Sequence, residues 1–109
     1  MNNLNYSKRM YVSPNIENIN EIKNLLDTKT SIYGIYLICI SNESKNLFDI
    51  IHSTEVFKTI YTVKSFTIIG IAQGKKDSFV LTSSIIEDFY NLRKNLDGIH
   101  DFFLCKREI

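Results

Sequence analysis

Hydrophobic positions in this chain follow two kinds of pattern. One recurs every three or four residues, and the other is continuous over a short run. Residues 66–96 hold both in succession. Phe66-Thr67-Ile68-Ile69-Gly70-Ile71-Ala72 is a mostly apolar run rich in β-branched residues, and Gln73-Gly74-Lys75-Lys76 breaks it. Leu81, Ile85, Phe89, Leu92 and Leu96 then recur at helical spacing. This is the form of a buried strand feeding a helix that folds back over a sheet.

The rest of the chain supplies partners for that unit. Residues 1–9 are Asn-rich and polar and read as loosely attached, and Met10-Tyr11-Val12 reads as a short edge strand. Ser13-Pro14 is a helix-start signal, with Ser as N-cap and Pro where a missing N–H costs nothing. Ile16, Ile19, Ile22, Leu25 and Leu26 follow at helical spacing, which predicts a helix from Asn15 to Asp27. Ile35-Tyr36-Leu37-Ile38-Cys39-Ile40 is apolar throughout, as expected of a strand covered on both faces in a parallel sheet. Leu47, Ile50, Ile51, Phe57, Ile60 and Tyr61 suggest a further helix, interrupted at His52-Ser53-Thr54-Glu55, with Ser53 or Thr54 capping its second part. Val63–Ala72 is the next strand. Gly98 stands where a helix C-terminus favours a left-handed residue, and Ile99–Leu104 is a final strand or packed tail.

These elements predict an α/β fold of order α-β-α-β-α, with short strands added at each end. The sheet is expected to be small, parallel or mixed, with helices packed on it. The twenty-odd residues between the two main strands are long enough for a parallel crossover. A ferredoxin-like α+β arrangement is the alternative. By length the chain is a single domain, 1–109, with residues 10–30 as an N-terminal helical addition.

Composition narrows the functional classes. The net charge is +1, and Lys and Arg are not gathered into a run, which argues against duplex nucleic acid as a partner. The cysteines, Cys39 and Cys105, form no CxxC and no Cys/His cluster, so neither a metal site nor a redox motif is expected. No apolar run approaches the length of a membrane span, and the N-terminus has no apolar core of signal-peptide type, so a cytoplasmic location is the default expectation.

Few residues offer chemistry. Gly70-Ile71-Ala72-Gln73-Gly74-Lys75-Lys76 fails as a phosphate-binding loop: its glycines are separated by three residues rather than four, and Lys76 replaces the Ser or Thr that binds metal. Gly74, Lys75 and Lys76 still open the last helix, whose exposed N–H groups could hold a small anion or nucleotide. The plainer alternative is two solvated lysines with Asp77 supplying the favoured charge. His52 and Glu55 would share a helix face, and His100-Asp101 could orient an imidazole, yet neither pair has a neighbouring nucleophile or enough metal ligands. No catalytic residue, metal or cofactor is implied, and the expectation is a non-enzyme.

Aromatic residues are spread through the chain. Phe48, Phe57, Phe66, Phe79 and Phe89 fit core positions, while Tyr33, Tyr61 and Tyr90 suit the rim of a core or an interface. Phe102-Phe103-Leu104 needs an apolar surface to cover it. With two main strands, unguarded sheet edges would add a second reason to associate, so a protein partner or a homodimer is expected.

The run Ile68–Lys75, followed by Ile85-Ile86-Glu87-Asp88-Phe89-Tyr90, resembles a pattern in short uncharacterised bacterial proteins. The resemblance covers roughly residues 35–103, and it implies a strand followed by a helix but no activity. The expected function is a non-catalytic interaction or regulatory module, as in an accessory protein of a mobile element or phage.

Overall fold

The computed structural model describes residues 5–28, 30, 32–40, 48–56 and 66–93. Their elements in chain order are β1 (Asn5–Val12), α1 (Ile19–Asp27), β2 (Ile35–Ile40), β3 (Asp49–His52), the single turn α2 (Ser53–Val56), β4 (Thr67–Gln73) and a long helix, α3 (Lys75–Arg93). The fold is a small α/β type with a mixed sheet. Its order is β1-β4-β2-β3 among the described residues, with β1 parallel to β4 and β2 antiparallel to both β4 and β3.

The continuous apolarity of Ile35–Ile40 and Ile68–Ala72 reflects a sheet buried on both sides. Alternate residues of β2 point to opposite faces. Ile38 and Ile40 join Ile69, Ala72, Leu81, Ile85 and Phe89 beneath α3. Leu37 and Cys39 join Ile68, Ile71 and Leu26 beneath α1. Burial on both faces was expected of a parallel pair, but β2 and β4 are adjacent and antiparallel. Two helices on opposite faces produce the same apolar pattern whichever way the strands run, so the expected parallel crossover is corrected.

β4 is irregular at its centre. Ile38 pairs with Gly70 and Cys39 with Ile68, which leaves Ile69 as an extra residue. Such a bulge turns two successive residues toward one face. Ile69 faces α3, and a Cβ on Gly70 would stand 3.1 Å from Ile38 Cδ1 and 3.4 Å from Leu81 Cδ2. Glycine at 70 therefore lets α3 lie close against the sheet.

Several expected boundaries change. Residues 5–9 are not loose, because they belong to β1. β1 and α1 are not an appendage either: one is a strand of the sheet and the other covers a face. Ser13 does not cap α1. Its N–H donates to the Ile71 carbonyl and its Oγ accepts from the Gln73 N–H, so it closes the β1–β4 pair. Asn18 is the actual cap, accepting from the Glu21 N–H at 3.1 Å, and α1 begins at Ile19. The helix expected around Ile50 and Ile51 is β3, where these neighbours point to opposite faces. A pair of adjacent apolar residues fits either period, and pairing with β2 decides for the strand. The order along the described residues is thus β-α-β-β-α-β-α rather than α-β-α-β-α. This succession contains that of the ferredoxin-like alternative, but β1 and β2, the strands flanking α1, run antiparallel rather than parallel.

Candidate functional site

Three turns meet at one end of the sheet, where β1 and β4 finish and β2 begins. Gly74 has φ +97°, a left-handed conformation that glycine adopts without strain. Its N–H donates to the Gly34 carbonyl at 2.7 Å, joining the start of α3 to the turn before β2. Asn15 Nδ2 donates to the Gln73 carbonyl at 3.2 Å from the third side. Lys75 and Lys76 are the first two residues of α3 and both are exposed, as the sequence indicated. Asp77, on the same turn, puts negative charge at the positive end of the helix dipole. Ser78 Oγ donates to the Lys75 carbonyl at 2.6 Å and anchors this turn.

His52 lies beside the same turns. It is the last residue of β3, whereas Glu55 is on α2, so the two do not share one helix face as expected. Gly34 N–H approaches Nε2 at 3.3 Å, and Thr54 N–H approaches Nδ1 at 3.1 Å. A neutral ring has one acceptor nitrogen. When Nε2 is that acceptor, Thr54 Oγ1, 2.8 Å from Nδ1, is placed to receive the ring proton. Tyr36 packs its ring edge-to-face on His52 at 4.8 Å. Ser53 Oγ donates to the Ile32 carbonyl at 2.6 Å and accepts from the Ile32 N–H at 3.0 Å. These bonds tie β3 and α2 to the turn before β2, with His52 as a bracket between them.

α3 carries a second feature outside its buried stripe. Its sheet-facing side is Ser78, Leu81, Ile85 and Phe89, all buried. Large apolar residues also stand outside: Phe79 is 52 % exposed, Val80 56 %, Tyr90 50 % and Leu92 63 %. Phe79 and Leu92 were expected in the core. Phe79 is two residues from Leu81, an offset that turns it away from the buried stripe. Leu92 keeps the right spacing, but α3 outruns the sheet. Its nineteen residues span about 28 Å, and the seven of β4 about 23 Å. A signal for this strip was present in the sequence, since Phe79, Ile86 and Tyr90 share helical spacing of their own.

Elsewhere, two tyrosines of β1 clamp the helices. Tyr6 OH donates to Asp27 on α1 at 3.4 Å, and Tyr11 OH donates to Asp88 on α3 at 3.0 Å. Burial, and then the adjacent carboxylate, push both phenols above their ordinary range, Tyr6 furthest. Burial also pushes the Cys39 thiol far up, with a smaller contribution from Asp49, so Cys39 is a packed thiol and not a reactive one. Among the described residues, no three His, Cys, Asp or Glu side chains are grouped to hold a metal ion, and no helix is long and apolar enough to cross a membrane. His100, Cys105 and Phe102-Phe103-Leu104 lie outside the described residues. No family model, curated protein or solved structure matches this chain.

Proposed function

We propose that this protein is a non-catalytic module that works by protein–protein contact through the outer side of α3. The observation that supports it is the outer side of α3, where Phe79 and Tyr90 share a face and are 52 % and 50 % exposed, with Val80, 56 % exposed, beside Phe79. Single exposed apolar residues are ordinary, whereas large ones aligned on one side of a helix are the form of a contact surface. Phe and Tyr add contact area with few rotamers to immobilise. A photo-crosslinking amino acid at Phe79, compared with one at Asn20 on the outside of α1, tests this in the cells that express the protein. A discrete adduct at 79, absent at 20 and identified by mass spectrometry, is the expected result. The same adducts at both positions, or none at either, would remove the proposal.

A further inference from the structure

We infer that His52 is a pH-sensitive latch: protonation of its ring releases the turn before β2 and, through that turn, the start of α3. Two backbone N–H groups are aimed at the ring, Gly34 at Nε2 at 3.3 Å and Thr54 at Nδ1 at 3.1 Å. A neutral imidazole can accept from one of them. An imidazolium can accept from neither, because both of its nitrogens then donate. A proton on Nε2 sets that N–H against the Gly34 N–H, donor against donor. Nδ1–H keeps a partner in Thr54 Oγ1, 2.8 Å away, so the ring stays tied to α2 and the loss falls on Gly34. Histidine is the side chain whose charge changes within the range of pH that cells and their compartments span.

Gly34 passes the loss on. Its N–H is held by His52, and its carbonyl accepts from the Gly74 N–H at 2.7 Å. Gly34 has φ +83° and Gly74 φ +97°. Glycine reaches this region without strain, but it brings no side chain to hold a turn in place. Ser53 anchors the same turn one step earlier, through its hydroxyl to the Ile32 N–H and carbonyl, and a serine hydroxyl does not titrate in this range. Acid therefore opens the link at Gly34 while Ile32 stays fixed, and the release is local.

The charges around the ring do little to hold an imidazolium in place. Tyr33 and Tyr36 touch His52 with their rings and offer no carboxylate. Glu55 on α2 is exposed, and an ion pair in water contributes little. Beyond Gly74, α3 opens with Lys75, Lys76 and Asp77, and like charges disfavour a further cation.

Amide exchange read by NMR across a series from about pH 7 to about pH 5, with rates corrected for the intrinsic effect of pH, tests the latch. In the wild type, protection of Gly34 and Gly74 should fall by roughly tenfold or more, with a midpoint that matches the titration of the His52 ring nitrogens. Leu37 and Ile38, fully buried in β2, should keep theirs. His52→Gln, which cannot titrate, should show no such fall. Constant protection at Gly34 while the ring titrates overturns the inference. So does an equal fall in His52→Gln, or a fall shared by Leu37 and Ile38, which is global unfolding.

Discussion

α1 and α3 cover opposite faces of one sheet, and they differ in what they leave outside. α1 is short and one-sided. Ile19, Ile22 and Leu26 face the sheet, while Asn20, Glu21, Asn24 and Asp27 face water. α3 is twice as long and two-sided, with Leu81, Ile85 and Phe89 buried and Phe79, Val80, Tyr90 and Leu92 outside. A helix needs one apolar stripe to pack on a sheet. The first helix leaves only Leu25 beyond that stripe, 36 % exposed. The second carries large apolar side chains that remain exposed among the described residues, and it is this surplus, rather than apolar content, on which the proposed contact rests.

The largest expected effects test whether the two faces are equally core. Ile68 and Ile69 are neighbours in β4, both fully buried, with Ile68 on the α1 side and Ile69 on the α3 side. Each should lose about 2–5 kcal/mol on substitution by Ala, from lost burial and the cavity left behind. Urea melts measure both. A loss below about 1 kcal/mol for Ile68→Ala alone would show that α1 is a cover and not part of the core.

The bulge gives a smaller and more directed test. Gly70→Val pushes methyl groups into Ile38 and Leu81 and should cost about 1–3 kcal/mol through overpacking. The same change in an Ile38→Ala background should cost less, because the colliding atoms are gone. Equal costs in the two backgrounds would mean that Gly70 is needed for backbone conformation instead of close approach.

The sequence showed this architecture unevenly, for physical reasons. The short continuous apolar runs were readable as strands: Ile35–Ile40 and Thr67–Gln73 are adjacent, and Lys75 opens α3. Strand direction was not readable, since burial on both faces leaves the same pattern in either sense. Nor was β1. Its Asn, Ser, Lys and Arg suit an edge strand that alternates poorly because of its bulge. Ser13-Pro14 misled as a helix start because Ser13 spends its hydroxyl on Asn15 and Gln73 at the end of the sheet. The strip on α3 was half legible. Its residues were noted as aromatic, but choosing core or surface for Phe79 requires knowing which stripe the sheet occupies.

The β1 tyrosines compare the two helices through single hydrogen bonds. Tyr6→Phe and Tyr11→Phe remove the bonds to Asp27 and Asp88, and each should cost about 0.5–1.5 kcal/mol at neutral pH. Both phenols titrate above their ordinary value in the folded chain. The unfolded chain releases these protons first, at about pH 10. Their contribution is therefore complete below that pH and is lost as the pH rises through the folded values. Alkaline melts should show wild type losing its advantage over Tyr6→Phe above about pH 10. An advantage that stays constant into that range would mean that the Tyr6 hydroxyl is not protected by burial and Asp27.

The smallest expected effect completes the comparison. Phe79→Ser and Tyr90→Ser alter side chains that are half in water, and exposed substitutions away from caps and bonds usually change stability by about 0.5 kcal/mol or less. Phe89→Ala, one residue from Tyr90 but 3 % exposed, should instead cost about 3–5 kcal/mol. Thermal and urea melts of the three variants at a concentration below any association isolate the folding term. Association stabilises a folded chain by mass action. At high concentration, then, wild type alone should gain stability if the strip is a contact surface, and the two serine variants should not. A cost above about 1 kcal/mol for Phe79→Ser in dilute solution would place Phe79 in the core and leave α3 as one-sided as α1.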